Sequence, residues 1–542
     1  MKLKTYIIGL SLVLGGVCSS CTDWLDTQPN DKQSEEQQFS TKDGFYAAVN
    51  GVYNRMAGSS LYGQTLTYEA LDLLGQHYTV EQNNQGSYYK YLRALTTWDY
   101  SEEGVVATLA STWNAAYSTI MNINVVLQNI ETRGQEGILP QKEYQMLKGE
   151  MLAARAMIHL DMLRLFGPIY EKDPEGRGIP YNDNTDPRIL PILTAQDVLN
   201  NYILRDLQAA EQLLLVSDPV LTEGPRAEYD EVNMDNSMRY RQLRLNYYAT
   251  VLLTARAYLW GGDYEHALTE AQKLTDDEQV RQFFPAVDQS TLLGNYNDPD
   301  RMFSTEVLFG YYNKDRGNIY DYTFGGPNTG SSLLIPREGY VTNNLFKGYG
   351  SDNEDIRLKS QWEIGETLEG NSSMKLTKFK EINDPNKSNA ESNKEDESGV
   401  LKVQKFYGTF CSLIKLSEAY YIAAEASTKT GNLSNGWKYL DAIRTSRGIP
   451  GYGGNAENFF WVLLTTEYVR EFVGEGQKFF YFKRRNLGFD NDYNGRKEIN
   501  IKVSDGFPPF IPPTYKTTDD ATDDEKVKRF VAPLPESELN NR

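Results

Sequence analysis

The sequence predicts a mostly α-helical protein, in which TPR-like helix hairpins form a curved scaffold carrying a large irregular, loop-rich insertion. The first sign is the stretch Tyr247–Leu274. Tyr247, Val251, Ala255 and Tyr258 recur at three and four residues, as do Tyr264, Ala267, Ala271 and Leu274, so each set shares a helical face. Gly261-Gly262-Asp263 lies between them, and glycine accepts the positive φ a tight reversal needs. Small residues at 255 and 267 let the backbones close up, with the spacing of a tetratricopeptide unit. Such a hairpin cannot bury its apolar face alone, so neighbours must stack on it. The second sign is the same periodicity elsewhere, and the third is its loss over residues 281–400.

In chain order, Ser40-Thr41-Lys42-Asp43 opens a helix with Phe45, Val49, Val52 and Tyr53 inward. Residues 75–100 break into Gly, Asn and Tyr and are expected to be an irregular ligand loop. Leu109–Ile130 puts Trp113, Tyr117, Ile120, Ile123 and Leu127 on one face. Lys148–Phe166 is a second helix, stopped by Gly167-Pro168. Residues 171–191 are proline-rich and extended, and Asp197–Leu215 is amphipathic. Asn383–Gly399 is too polar to fold alone. Helices are expected again at Ser412–Thr430, Gly436–Arg447 and Thr466–Phe482. The predicted organisation is a signal peptide over 1–20, a tether over 21–40, an N-terminal helical scaffold over 41–280, an irregular subdomain over 281–411, and C-terminal TPR-like helices with a Pro-rich tail over 412–542. Residues 41–542 form one compact unit.

At 542 residues, with 40% hydrophobic and 24% charged, the chain is globular and long enough for a large core. The net charge of −19 becomes about −21 once a leader holding Lys2 and Lys4 is removed, which disfavours nucleic acid and anionic lipid surfaces. Aromatics reach 12%, with 37 tyrosines, and a tyrosine offers an apolar face with a polar rim. Three cysteines do not make a disulfide framework, and Cys411, in an apolar run, reads as a buried thiol. Lys2 and Lys4, the short apolar core Tyr6–Leu14 and the small residues after it form a secretory leader too short to span a membrane. Cys21 follows Ser19-Ser20 and is the expected lipid-attachment residue. Cys18 follows bulky Val17 and fits less well. Plain secretion with an incidental cysteine is the alternative.

Catalytic motifs are sparse. No Gly-x-Ser-x-Gly, Walker loop or His-Glu-x-x-His occurs. Of the three histidines, His159 and His266 fall on helices without a second ligand at i+3 or i+4, while His77 lies in the irregular loop, within reach of a ligand. Glu471 and Glu475 stand one helical turn apart and imitate a glycosidase pair. Their mutual repulsion calls for nearby cations, with Arg470, Lys483 and Arg484 at hand, so a structural ion-pair network is the expectation. No cofactor is expected. Asp490, Asp492 and Asn494 with Gly495 reproduce the first half of a calcium loop, but Ile501 occupies the position of its bidentate glutamate. An ordinary Asp/Asn/Gly turn is the expectation, ahead of a calcium site. Candidate ligand contacts are Tyr78, Asn83, Asn84, Tyr88 and Tyr89 in the first irregular segment, and Tyr296, Tyr311, Tyr312, Arg316, Tyr320 and Tyr322 in the second. Aromatic faces pack on sugar C–H groups while Asn and Arg bond hydroxyls. Trp98 and Trp113, beside strong helices, are expected to pack into the scaffold.

Several segments resemble the SusD/RagB family of outer-membrane nutrient-binding lipoproteins. Glu150–Ile169 is similar to the family's Glu…Arg-Ala helix ending in Phe-Gly. The Tyr247–Leu274 hairpin follows. Leu413–Gly448 looks like its Glu-Ala-rich helix pair closing on Ile-Arg…Arg-Gly, and Glu467–Arg484 contains Glu-Phe-x-x-Glu-Gly. Val531–Asn541 matches a closing Pro-x-Pro-x-x-Glu-Leu pattern. The chain departs at Phe479-Phe480-Tyr481-Phe482, where members often carry Trp-x-Asp-Leu. The resemblance implies a non-catalytic, lipid-anchored outer-membrane protein, exposed at the cell surface, that captures a glycan or another nutrient. It also implies a SusC-like TonB-dependent transporter barrel as partner. A TPR-type protein-interaction lipoprotein and a secreted glycoside hydrolase remain as alternatives.

Overall fold

Thr41 starts the first helix: its hydroxyl accepts the Gly44 N–H at 3.1 Å, satisfying one of the orphan donors that every helix start exposes. In the computed structural model the described residues are 35–80, 86–226, 232, 235–294, 299–325, 334–336, 340–346, 354–366, 372–380, 409–488 and 523–540. The elements named here are α1 (Lys42–Met56), α2 (Ala70–Leu74), β1 (Tyr78–Thr79), α3 (Ser87–Thr96), α4 (Glu103–Thr132), α5 (Gln141–Phe166), α6 (Leu204–Ser217), α7 (Tyr247–Trp260) and α8 (Tyr264–Thr275). They continue with β2 (Val307–Tyr312), β3 (Ile335–Pro336), α9 (Ile356–Gln361), β4 (Trp362–Glu366), β5 (Ser372–Leu376), β6 (Phe410–Lys415), α10 (Leu416–Lys429), α11 (Leu433–Ser446), α12 (Glu457–Glu471), α13 (Gln477–Arg484) and α14 (Asp523–Phe530). No helix among the described residues is long and apolar enough to cross a membrane.

The helices pack in single file: α1 on α4, then α5, α6, α7, α8, α10 and α11, with α12 against the last two. This is the stacking that repeated hairpins require to bury their faces. In α7–α8 the reversal is made by Gly262 at φ +76°. Asp263 then caps α8 by accepting the His266 N–H at 3.1 Å, and Ala255 and Ala267 are fully buried where the helices touch. The α10–α11 turn repeats the device, with Gly431 at φ +89° and Asn432 accepting the Asn435 N–H at 3.0 Å. A Cβ on Gly436 would run into the Thr428 hydroxyl oxygen and lie 3.0 Å from the Ala424 carbonyl oxygen, so a larger residue would push the two helices' side chains apart.

α5 is buried along nearly its whole length, charged residues included. A helix covered on all sides must pair its charges internally. Arg155 meets Asp206 at 2.6 Å, and Glu150 meets Arg241 at 2.6 Å.

Three expectations fail in instructive ways. Residues 412–415, the expected start of a helix, belong instead to strand β6, paired antiparallel with β2. A short, fully buried apolar run carries no periodicity that separates strand from helix. Thr466–Phe482 is not one helix: Gly474 at φ +82° and Gly476 at φ +70° break it into α12 and α13. The span 75–100, expected to be irregular throughout, contains α3. Among the described residues there are three two-stranded sheets, β1–β3, β2–β6 and β4–β5, and each involves the middle region.

A buried ion network holds that region to the C-terminal helices. Arg357 reaches Glu467 at 2.5 Å, Asp355 at 2.8 Å and Glu471 at 3.2 Å. Arg447 bridges Glu306 and Glu471, at 2.7 Å to each. Glu467 also takes Arg444 at 2.6 Å and Arg470 at 3.0 Å. Lys415 and Lys378 both reach Glu475, at 2.8 Å each. The expected cations are only partly right. Lys483 donates to the carbonyls of Leu165 and Gly167, and Arg484 pairs with Glu425. The true partners of Glu471 and Glu475 come from residues far away in sequence. Burial pushes the Glu467 carboxyl up, but Arg357, Arg470 and Arg444 outweigh it and hold it at about 2.

Replacing Glu471 with Ala leaves Arg357, Arg447 and Lys415 under-neutralised in the interior. Urea unfolding is expected to show a loss of about 3–5 kcal/mol. Glu467 has a folded-state pKa below its unfolded value. Its contribution is therefore complete above about pH 4.5 and disappears as pH falls toward about 2. Acid unfolding followed by circular dichroism should show stability falling across that window.

Candidate ligand-binding surface

The two tyrosine-bearing segments meet at Tyr68. Its ring packs against Phe379 at 5.2 Å and Phe324 at 6.1 Å, and Phe324 stacks on Phe379 at 5.7 Å. Tyr78 closes on Phe324 at 5.7 Å, because β1 pairs with β3 and sets Tyr78 opposite Pro336. Beside it, His77 is fully buried with Nδ1 3.0 Å from the Tyr340 hydroxyl, so it faces protein rather than a ligand. Asp72 in the middle of α2 accepts the N–H groups of Gly474 and Gly476 at 2.7 and 2.9 Å. The first irregular segment is thereby tied to the Glu-Gly turn between α12 and α13.

Helix α3 turns Tyr91, Leu92 and Leu95 inward and leaves Tyr88 exposed and Tyr89 half-buried. Tyr88 is not loose. Its ring stacks on Tyr91 at 5.7 Å, and its hydroxyl donates to the buried Glu69 carboxylate. Glu69 also accepts from the Tyr91 hydroxyl at 3.0 Å and from Gln64 Nε2 at 2.5 Å. Burial and the neighbouring Glu69 charge hold the Tyr88 phenol above its ordinary range, so it stays a neutral donor.

In the second segment, strand alternation decides which tyrosine faces out. On β2, Tyr311 points inward, paired opposite Cys411, while Tyr312 is exposed. Cys411 is buried as expected, and burial pushes its thiol up to about 11. The π-helical turn Tyr320–Gly325 buries Tyr320 and Phe324 and exposes Tyr322. The Tyr320 hydroxyl donates to Glu363, which also takes Lys380 at 2.8 Å. Burial raises Glu363, but Lys380 and Tyr320 outweigh it and keep the carboxyl below its usual range. Next to Glu363, Ile364 is 78% exposed.

The sequence candidates thus divide. Tyr78, Tyr311 and Tyr320 are interior residues, each claimed by strand pairing or a hydroxyl partner. Arg316 is only 1% exposed and donates to the carbonyls of Phe410 at 3.2 Å and Lys378 at 2.8 Å, holding loops together. Tyr88, Tyr312 and Tyr322 are 40, 40 and 61% exposed, and among the described residues no other tyrosine is as open. Asn83, Asn84, Tyr296, Cys21 and the calcium candidates Asp490, Asp492 and Asn494 lie outside the described residues. Trp113 is buried, and Trp98 donates its indole N–H to the Leu74 carbonyl at 3.1 Å. Gln64, Tyr68 and Glu69 went unnoticed in the sequence. They carry no motif, and their importance comes from what folds against them. Glu471 and Glu475, the imitation catalytic pair, are almost fully buried and bound to cations, as a structural network requires.

Pinned, outward-facing rings beside fixed carboxylates can stack on a half-polar ligand and accept bonds from its hydroxyls. Residues 23–221 match the family model described as "Starch-binding associating with outer membrane", and residues 401–542 match the SusD family model. SusD-like protein P25 of Formosa agariphila is 22% identical over 363 residues, which are 62% of this chain; the chain spans 59% of that relative's length. The fold is similar to a putative sugar binding protein from Bacteroides vulgatus, with a TM-score of 0.62 at 20% identity, covering 92% of this chain and 96% of that one. It is also similar to surface glycan-binding protein A from Bacteroides uniformis, with a TM-score of 0.61 at 16% identity, covering 93% of this chain and 98% of that one.

The division between inward and outward tyrosines is testable by stability alone. Tyr68→Ala is expected to cost about 3–5 kcal/mol, as for other buried aromatics. Tyr322→Ala should stay within about 0.5 kcal/mol of wild type in the same urea titration.

Proposed function

The chain belongs to the SusD/RagB family, and on that premise we propose that it is a non-catalytic binding protein that captures an oligosaccharide on the Tyr88–Tyr312–Tyr322 surface. The reading rests on one observation. The most exposed described tyrosines all come from the two irregular segments, which fold together around Tyr68 while the scaffold keeps its own tyrosines covered. Sugar rings present C–H faces to aromatic planes and hydroxyls to carboxylates, and this surface offers both. The similar surface glycan-binding protein and putative sugar binding protein support the ligand class.

In this reading Cys21 carries the lipid anchor, residues 22–40 are the tether, and the protein sits on the outer membrane, in keeping with the matched family description. A SusC-like TonB-dependent barrel receives the captured glycan and imports it. Glu471 and Glu475, which imitate a glycosidase pair, are committed to arginines and lysines and are not available as an acid and a nucleophile.

Titration calorimetry against a panel of neutral and anionic oligosaccharides tests the claim. Tyr88→Ala and Tyr322→Ala should each weaken binding about 3- to 10-fold, since an aromatic contact contributes about 0.5–1.5 kcal/mol. Unchanged affinity in both variants, or release of shorter sugars from the bound glycan, would refute it.

A further inference from the structure

A small cleft opens where α5, α7, α10, α12 and α13 converge, lined by buried charged and aromatic side chains. It shares no residue with the tyrosine surface. Its lining carboxylates are both taken: Glu418 receives Arg256 Nε and Nη2 at 2.7 and 2.6 Å, and Glu425 receives Arg484 Nη1 and Nη2 at 2.7 Å each. What remains is a surplus of donors. Arg164 gives Nη1 to Asp161 and Nη2 to Gln477, at 2.8 Å each, but its Nε–H has no partner. The Trp260 indole N–H has none either. Both residues are more than nine-tenths buried and both line the cleft, with the guanidinium 5.7 Å from the centroid of the indole. Tyr468 lines the same cleft.

The charges around the cleft are matched, Arg164 with Asp161, Arg256 with Glu418 and Arg484 with Glu425, so the surplus is one of donors rather than of charge. An idle donor in the interior costs about 1–3 kcal/mol, more when it is charged. The cleft has room for about one water-sized particle. A water would add two donors to a wall already rich in them, whereas an anion is purely an acceptor.

We propose that this cleft binds one small monovalent anion of about chloride size, held between Arg164 Nε–H and Trp260 Nε1–H beside the Tyr468 ring. The site would clamp five helices together from the inside, independently of any glycan.

Crystals of the full chain soaked in sodium bromide, with data collected at the bromine absorption edge, test this directly. The expected result is an anomalous peak within about 3.5 Å of both donors. Bromide confined to the outer surface, or a water without anomalous signal in the cleft, would overturn the proposal. In solution, the melting temperature should rise with sodium chloride relative to sodium gluconate at equal ionic strength. Trp260→Phe should remove that rise while melting like wild type in gluconate, and an undiminished rise would count against the site. If Trp260→Phe does not fold, the bromide map on the wild-type chain decides alone.

Discussion

Three glutamates spaced four residues apart, Glu467, Glu471 and Glu475, are buried where α12 ends, and the middle of the chain is organised by the need to neutralise them. Like charges brought this close repel, and in a low-dielectric interior they are untenable without partners. The partners arrive from Arg357, Lys378 and Lys415 in or beside the middle region, and from Arg444, Arg447 and Arg470 in the C-terminal helices. A buried network of this kind adds less to net stability than its many contacts suggest, because each charge loses its hydration. What it adds is a single permitted arrangement, since any slip of the middle region strands a charge.

That arrangement positions the proposed ligand surface. Lys378 holds Glu475 and lies next to Phe379, against which Tyr68 and Phe324 pack. Asp72 grips the N–H groups on either side of Glu475, and α2 leads directly into β1 and α3. The tyrosine surface and the acidic turn are therefore two faces of one assembly. A tyrosine fixed by Glu69 before a ligand arrives loses little further rotational freedom on binding, which favours capture by shallow contacts.

The hairpin scaffold was legible because it depends on local rules. Gly261-Gly262-Asp263 and Gly431-Asn432 announce reversals through the φ values they permit and the caps they supply, and apolar spacing announces the buried faces. The same reasoning failed at residues 412–415, whose strand character depends on β2, about a hundred residues away. It could not sort Tyr311 from Tyr312 either. Alternation along a strand guarantees that they face opposite ways, but which one faces solvent is fixed by pairing with β6.

The sequence by itself determined the α-helical class and the stacking hairpins and marked out the two tyrosine-bearing segments, because periodicity, turn chemistry and composition act over short distances. Only the tertiary structure decided that Tyr88, Tyr312 and Tyr322 face outward while Tyr78, Tyr311, Tyr320 and Arg316 are consumed by the interior. Burial and charge neutralisation are properties of groups brought together from distant positions, and no stretch of chain carries them alone.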